Sequence, residues 1–445
     1  MSAPATTPAS TAQSGATYNT SRLFWISCLA LCMAGIANAL RTDIAADIES
    51  VFLTPIDPLR SGAMVGTILG VPFLAFAITI ALSSPLLDVV GMKWLLPLAA
   101  FLIPSGMLVL GFAGEFTSGD NVYWVLWSGA LLAGIGWGLV ETVMNPLIAA
   151  LYPTEKTAKL NAGHAWWPAG LVIGGLLGYF MTEWGFDWRL KLVVLILPGL
   201  GVLAMSMGLK YPPTERKAAG VSAGRMFREL ANPMFVILFL SMFLTAAAEL
   251  APGAWVDFAL SRTVGMPGIL LLVYVSGLMF VMRNFAGPLV HRLSPIGVLW
   301  FSCLGAALGL LALSYANSPV TGLLAATLWG TGVCYLWPTM LATTSERFPH
   351  GGALLMGLMG TAGMLSIQFV LPYMASIYDA KKIELAGGEA AFNAMPQGPT
   401  MDSILGVAAQ TSFRAVAILP AILLIVFAGI WLYDRSKGGY KPTKI

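Results

Sequence analysis

Twelve stretches of about 18 or more mostly apolar residues constrain this chain more than any other feature. They centre near residues 30, 74, 102, 137, 170, 199, 243, 278, 306, 333, 365 and 424. At a rise of 1.5 Å per residue, each is long enough as a helix to cross a hydrocarbon layer roughly 30 Å thick. Lipid offers no hydrogen bonds to a backbone, so segments of this composition cross it as helices. The expected fold class is an all-α membrane protein with twelve transmembrane helices. Charged residues make up only 10% of the chain, against about 25% in a soluble domain. The net charge of +3 is too small to suggest a nucleic-acid partner. Cys28, Cys32, Cys303 and Cys334 all fall inside apolar runs, which points to packing and not to disulfides or a metal.

The punctuation between spans divides the chain. Residues 1–20 are small, polar and uncharged, which predicts a disordered tail and not a secretory leader. The longest polar stretch between the sixth and seventh spans, 210–228, carries prolines and a run of basic residues and reads as a linker. The expected domains are a six-helix bundle over 21–209, the linker, a second bundle over 229–434 and a tail over 435–445. With both termini in the cytoplasm, 16 of the 24 Lys and Arg fall on the inside, the orientation that the positive-inside rule favours. The loop from about Ala380 to Asp402 is then external and expected to be mobile. The halves also repeat. Ser84-Pro-Leu-Leu-Asp88-Val-Val-Gly91 has a counterpart in Gly287-Pro-Leu-Val-His291-Arg292-Leu-Ser294, and Gly134, Gly136 and Pro153 match Gly330, Gly332 and Pro349. Two parallel six-span repeats with a site between them near the midplane are one transporter plan.

The chemistry gathers around the turn at Pro153. If the fourth and fifth spans are an antiparallel pair folded there, Asn145 and Asn161 are each eight positions from the turn, and Glu141 and His164 are twelve and eleven away. Glu141 and His164 would then share a depth of about 17 Å, near the middle of the membrane. Ionisable groups at that depth face the bundle interior or water and commonly serve transport. An acid held away from water can exchange a proton in the physiological range, so solute binding, protonation and reorientation can be coupled at Glu141. Asn145 lies one turn further on the same face, as a solute ligand or simply beside a kink at Pro146. His164 either shares the proton of Glu141 or bonds a carbonyl. Of Trp166 and Trp167, at most one can line a cavity. Gln368, Tyr335, Trp329 and Trp337 are cavity candidates too, although bundle aromatics more often pack.

The Asp88–Lys93 turn, its degraded second copy, the basic linker and the six-plus-six plan together resemble the major facilitator superfamily over the whole chain. That resemblance makes Asp88, Gly91, Arg283 and Arg292 parts of a cytoplasmic gate, with departures at Ser84, Val89 and His291. Within it, Glu141-Thr142-x-x-Asn145-Pro146, Leu160-Asn161 and Gly170, Gly174 and Gly178 resemble the fucose–proton symporter branch. So do Phe243-Leu-Thr-Ala-Ala-Ala-Glu249 with Gly253-Ala-Trp255, Trp337-Pro338-Thr339, and Pro372. The resemblance implies Glu141 as the carboxylate of proton and substrate, with Asn145 and Asn161 as polar contacts. It adds Glu249 and Trp255 from the second half. The first span departs from the branch: Asn38 is retained, the acid moves to Asp43, and Arg41 is new. Arg41 and Asp43 read either as a solvated pair at the outer mouth or as an attraction for an anionic solute.

The proton-coupling set is thus Glu141, His164 and Glu249. The substrate set is Asn38, Asn145, Asn161, Trp167, Trp255, Trp337 and Gln368. No phosphate-binding Gly-rich loop is present, so a gradient is expected to drive transport, with no cofactor and no enzymatic activity. The expected function is proton-coupled import of a monosaccharide or similar polyhydroxylated solute by a monomer in the inner membrane. The alternatives are a proton antiporter exporting drugs or metabolites, a carrier of an anionic sugar acid, and a non-transporting receptor on a carrier fold.

Overall fold

Prolines and glycines decide how these helices bend and how closely they meet. The computed structural model describes residues 18–57, 60–263, 268–396 and 398–444, and over 254–263 and 268–270 the backbone only. Twelve spans follow in order: α1 (Thr20–Asp43), α2 (Ser61–Ser83), α3 (Met92–Gly111), α4 (Asn121–Leu151), α5 (Lys156–His164 continued by Trp166–Glu183) and α6 (Trp188–Val193 continued by Ile196–Ser206). The second set is α7 (Pro233–Thr263), α8 (Gly268–Arg283), α9 (Ala286–Leu313), α10 (Pro319–Val333 continued by Leu336–Arg347), α11 (Gly352–Ala386) and α12 (Pro399–Val416 continued by Ile418–Ser436). No strand occurs among the described residues. Ten of the twelve are long and apolar enough to cross a bilayer as they stand, and α5 and α8 complete the two sets of six.

Lipid supplies no hydrophobic drive for one helix to seek another, so small residues that let backbones approach do much of the joining. A methyl group on Gly170 would lie 2.2 Å from the Cys32 carbonyl and 2.9 Å from the Gly35 Cα, so α1 and α5 touch backbone to backbone. Gly106 meets Gly129 between α3 and α4, and Gly305 meets Gly332 between α9 and α10. The repeat therefore extends to its closest contacts.

The signature turns show the same symmetry in their torsions. Gly91 has φ 89°, and Ser294, its counterpart eight residues into the second copy, has φ 62°. A glycine accepts that left-handed backbone freely, whereas serine is strained there. Four free cysteines are buried in the helices. The loop expected over Ala380–Asp402 is shorter than the sequence suggests. Here α11 runs on to Ala386 with Lys381–Glu384 and Lys382–Asp379 pairs one turn apart, and left-handed Gly387 (φ 82°) ends it. A short helix, Glu389–Asn393, follows.

The described ends, near residues 18 and 444, and the 210–228 segment share one face of the molecule, here the terminal face. Hydrogen bonds between the halves gather towards it: Thr157 Oγ1 to Glu346 Oε1 at 2.6 Å, Asn161 Nδ2 to Thr339 Oγ1 at 3.1 Å and Thr361 Oγ1 to the Ala77 carbonyl at 3.3 Å. The deepest is Arg283 to the His164 carbonyl. Beyond that level, no hydrogen bond crosses between the halves among the described residues.

Candidate functional site

Positions 137, 141 and 145 are four residues apart on α4 and so project from one face. Trp137, Glu141 and Asn145 are all buried, Glu141 with 4% of its surface exposed. Asn145 Nδ2 donates to Glu141 Oε2 at 2.6 Å and to the Glu141 carbonyl at 3.0 Å. Its Oδ1 lies 2.8 Å from His164 Nε2, whereas His164 and Glu141 are 3.8 Å apart. A carboxamide that donates to the acid has only an acceptor left, so Nε2 of His164 carries the hydrogen. The matched depths of Glu141 and His164 do bring them together, with Asn145 as the bridge. The acid points into protein, not at acyl chains.

Prolines explain what holds the imidazole's backbone. Pro168 has no N–H, which leaves the carbonyl of His164, four residues earlier, without its helical donor. Pro338 does the same to Cys334. Arg283 takes both: Nη1 donates to the His164 carbonyl at 3.0 Å and Nε to the Cys334 carbonyl at 2.6 Å. Its Nη2 donates to Glu249 Oε1 at 2.9 Å. A third freed carbonyl, Ala248 before Pro252, accepts from Trp329 Nε1 at 3.2 Å. The resemblance groups Arg283 with the signature turn, whereas its side chain reaches deeper into the bundle. Its named partners are Glu249, His164 and Cys334, at the level of the Glu141 cluster.

The two tryptophans diverge. Trp167 stacks on Trp137 with centroids 4.5 Å apart and planes 9° from parallel, while Trp166 packs edge-on against Trp25 and Phe280. Phe73 meets Trp137 edge-on at 5.7 Å. Trp137 is a site residue that sequence reasoning missed, although its spacing from Glu141 could have marked it. Its indole N–H has no partner.

Arg41 and Asp43 do not form the pair expected of them. Two residues apart on a helix, their side chains point to different sides. Asp43 accepts from Lys191 Nζ at 2.5 Å, which also donates to Thr182 Oγ1 at 2.7 Å. Arg41 is buried, donates to Asn38 Oδ1 at 2.6 Å and lies 5.8 Å from the centre of the Phe73 ring. Asn161 donates to the Thr157 carbonyl and to Thr339, leaving its own oxygen without a partner. Trp337 is buried against Gly363, and Tyr335 donates to the Met282 carbonyl at 2.8 Å. Gln368 is exposed. The side chain of Trp255 lies outside the described residues.

At the terminal face, Asp88 accepts from Thr214 Oγ1 at 2.6 Å and pairs with Arg216, and Lys217 Nζ donates to the Asp88 carbonyl at 2.7 Å. Lys156 pairs with Glu215 at 2.7 Å. The turn is thus fastened to the segment between the halves. Arg292 and His291 of the second copy are exposed on α9.

Twelve helices in two repeated sets, with a buried polar cluster where they meet, define a multi-pass membrane protein. A profile of the Major Facilitator Superfamily matches residues 23–370, and the chain belongs to that superfamily. The structure of the E. coli fucose:proton symporter superposes with a TM-score of 0.66 at 17% identity, covering 90% of this chain and 98% of that one. At that identity the likeness is one of fold. Efflux pump alnA of Emericella nidulans is 22% identical over 58% of this chain and 44% of its own length. Probable polyol transporter 6 of Arabidopsis thaliana is 29% identical over 40% of this chain and 38% of its own. The chain therefore spans less than half the length of these curated relatives.

Proposed function

We propose that the chain is a proton-coupled carrier of a monosaccharide or similar small polyhydroxylated solute, working by alternating access between the halves 21–209 and 229–434. The observation that carries the reading is the chain Glu141–Asn145–His164, buried where the halves meet and tied through the His164 carbonyl to Arg283 and Glu249. A protonatable acid in that position feels any movement of one half against the other. Asn38, Asn161 and Trp167 serve as solute contacts in this reading, and the Asp88 turn with Arg216 and Gly91 forms the gate. The cross-half bonds near the terminal face hold that side shut, so the solute enters from the opposite one. We place the terminal face in the cytoplasm of a cell whose inner membrane holds the protein. The likenesses to a polyol transporter and to the fold of a fucose symporter agree with the solute class.

Export of amphipathic compounds is the second reading, favoured by the match to an efflux pump over more of this chain than the polyol transporter's. Reconstituted vesicles with an imposed pH gradient separate them: inward accumulation of labelled sugar, abolished by a protonophore, supports the first. Glu141→Gln is expected to keep sugar exchange and lose accumulation. Undiminished accumulation in that variant removes Glu141 from coupling.

A further inference from the structure

Five Lys and Arg side chains are buried among the described residues: Arg41, Lys156, Lys191, Arg216 and Arg283. Four have a carboxylate, namely Glu215, Asp43, Asp88 and Glu249 respectively for the last four. Among the described residues Arg41 has none within ion-pair distance. A buried cation without an anion is costly, and folded proteins pair it or ligate it. The acid two residues away is already held by Lys191 and lies too far round the helix to help.

A guanidinium kept for structure alone gathers acceptors, as Arg283 does with three. Arg41 has one, Asn38 Oδ1, and its Nε is unpartnered. The ring of Phe73 beneath it is attractive to a cation but supplies no negative charge. Phe73 leads directly to Trp137, whose indole N–H is also unpartnered. Two free buried donors therefore flank one ring, and both belong to α1 and α4, the helices that carry Asn38 and Glu141. Arg41 lies two residues from the end of α1 away from the terminal face, on the side where no hydrogen bond closes the halves among the described residues.

We propose that the transported solute bears a carboxylate, that Arg41 receives it, and that Trp137 Nε1 donates to a neighbouring solute oxygen. The planar fork of a guanidinium matches two carboxylate oxygens. This rests on the carrier reading above and narrows its solute from a neutral sugar to a hexuronate. Solute and proton then bring opposite charges into the cluster, the anion at Arg41 on α1 and the proton at Glu141 on α4.

The test is thermal stabilisation of the purified full-length chain by glucuronate, galacturonate, the matched neutral hexoses and benzoate as a carboxylate that is not a sugar. Wild type, Arg41→Gln and Arg41→Lys are compared. Hexuronates are expected to stabilise wild type at concentrations about tenfold or more below those of the hexoses. Arg41→Gln should erase that preference, and Arg41→Lys should keep part of it. Equal or better stabilisation by the hexoses overturns the proposal while leaving the sugar reading intact, and needs no variant. A preference that survives in Arg41→Gln overturns it too, as does stabilisation by none of the compounds. Stabilisation by benzoate through Arg41, with no response to any sugar, keeps the carboxylate and removes the monosaccharide.

Discussion

Replacing Arg283 by methionine removes a donor from three buried acceptors at once. One is the Glu249 carboxylate, and two are the carbonyls of His164 and Cys334, which Pro168 and Pro338 have stripped of helical partners. Breaking a buried ion pair from one side costs about 3–5 kcal/mol, and each neutral carbonyl left unpaired about 1 kcal/mol more. The single variant should therefore lose about 5–7 kcal/mol. Glu249→Gln alone keeps an acceptor for Arg283 but leaves a buried cation without its anion, and should lose about 3–5 kcal/mol. In Arg283→Met/Glu249→Gln the stranded carboxylate is gone, so the double variant should be more stable than Arg283→Met by about 2–3 kcal/mol. The assay is denaturant unfolding of the purified protein in mixed micelles, read as a double-mutant cycle. A double variant no more stable than Arg283→Met would show that the ion pair does not dominate at that site, and the reading of Arg283 as held chiefly by Glu249 would fail.

The backbone offers two further tests. Ser294→Gly relieves the strained φ of 62° and should raise stability by about 1 kcal/mol, seen as a higher unfolding midpoint; a lower one would mean that the side chain outweighs the torsion. Gly170→Val must push α1 from α5, because its first carbon would meet the Cys32 carbonyl at 2.2 Å. It should abolish monodisperse protein in size-exclusion chromatography. Gly66→Ala, with nothing within 4 Å of the added carbon, should elute as wild type.

Span number and order were legible because length and hydropathy suffice to define a helix in lipid. The depth of Glu141 against His164 was legible for a related reason: helical rise converts sequence separation into distance, and Pro153 supplied the origin. What lay out of reach was azimuth. Arg41 and Asp43 look like partners by proximity in the sequence, yet a spacing of two turns them to different sides, and Lys191, 148 positions away, claims the acid. Arg283 reads with the signature turn because it sits just before the second copy. Its actual partners come from α5, α7 and α10, and only the folded bundle brings those together. The prolines at 168, 252 and 338 are visible in the sequence, and the carbonyl each frees follows by counting back four. Which side chain claims that carbonyl does not. The stacking of Trp137 on Trp167 belongs to the same category: the spacing of Trp137 from Glu141 is in the sequence, and the partner of its ring is not.

The segment joining the halves is moored at both ends, and unequally. At its start, Glu215 and Arg216 are tied to Lys156 and Asp88 of the first half. At its finish, Glu229 lies 3.7 Å from His350 of the second. In the alternating access proposed above, the slack between these moorings comes from the dozen or so residues between them. Gly220, with φ 67°, sits in that interval. Within that proposed cycle this short stretch of surface chain takes up the movement, and stiffening it would slow turnover without touching the solute path.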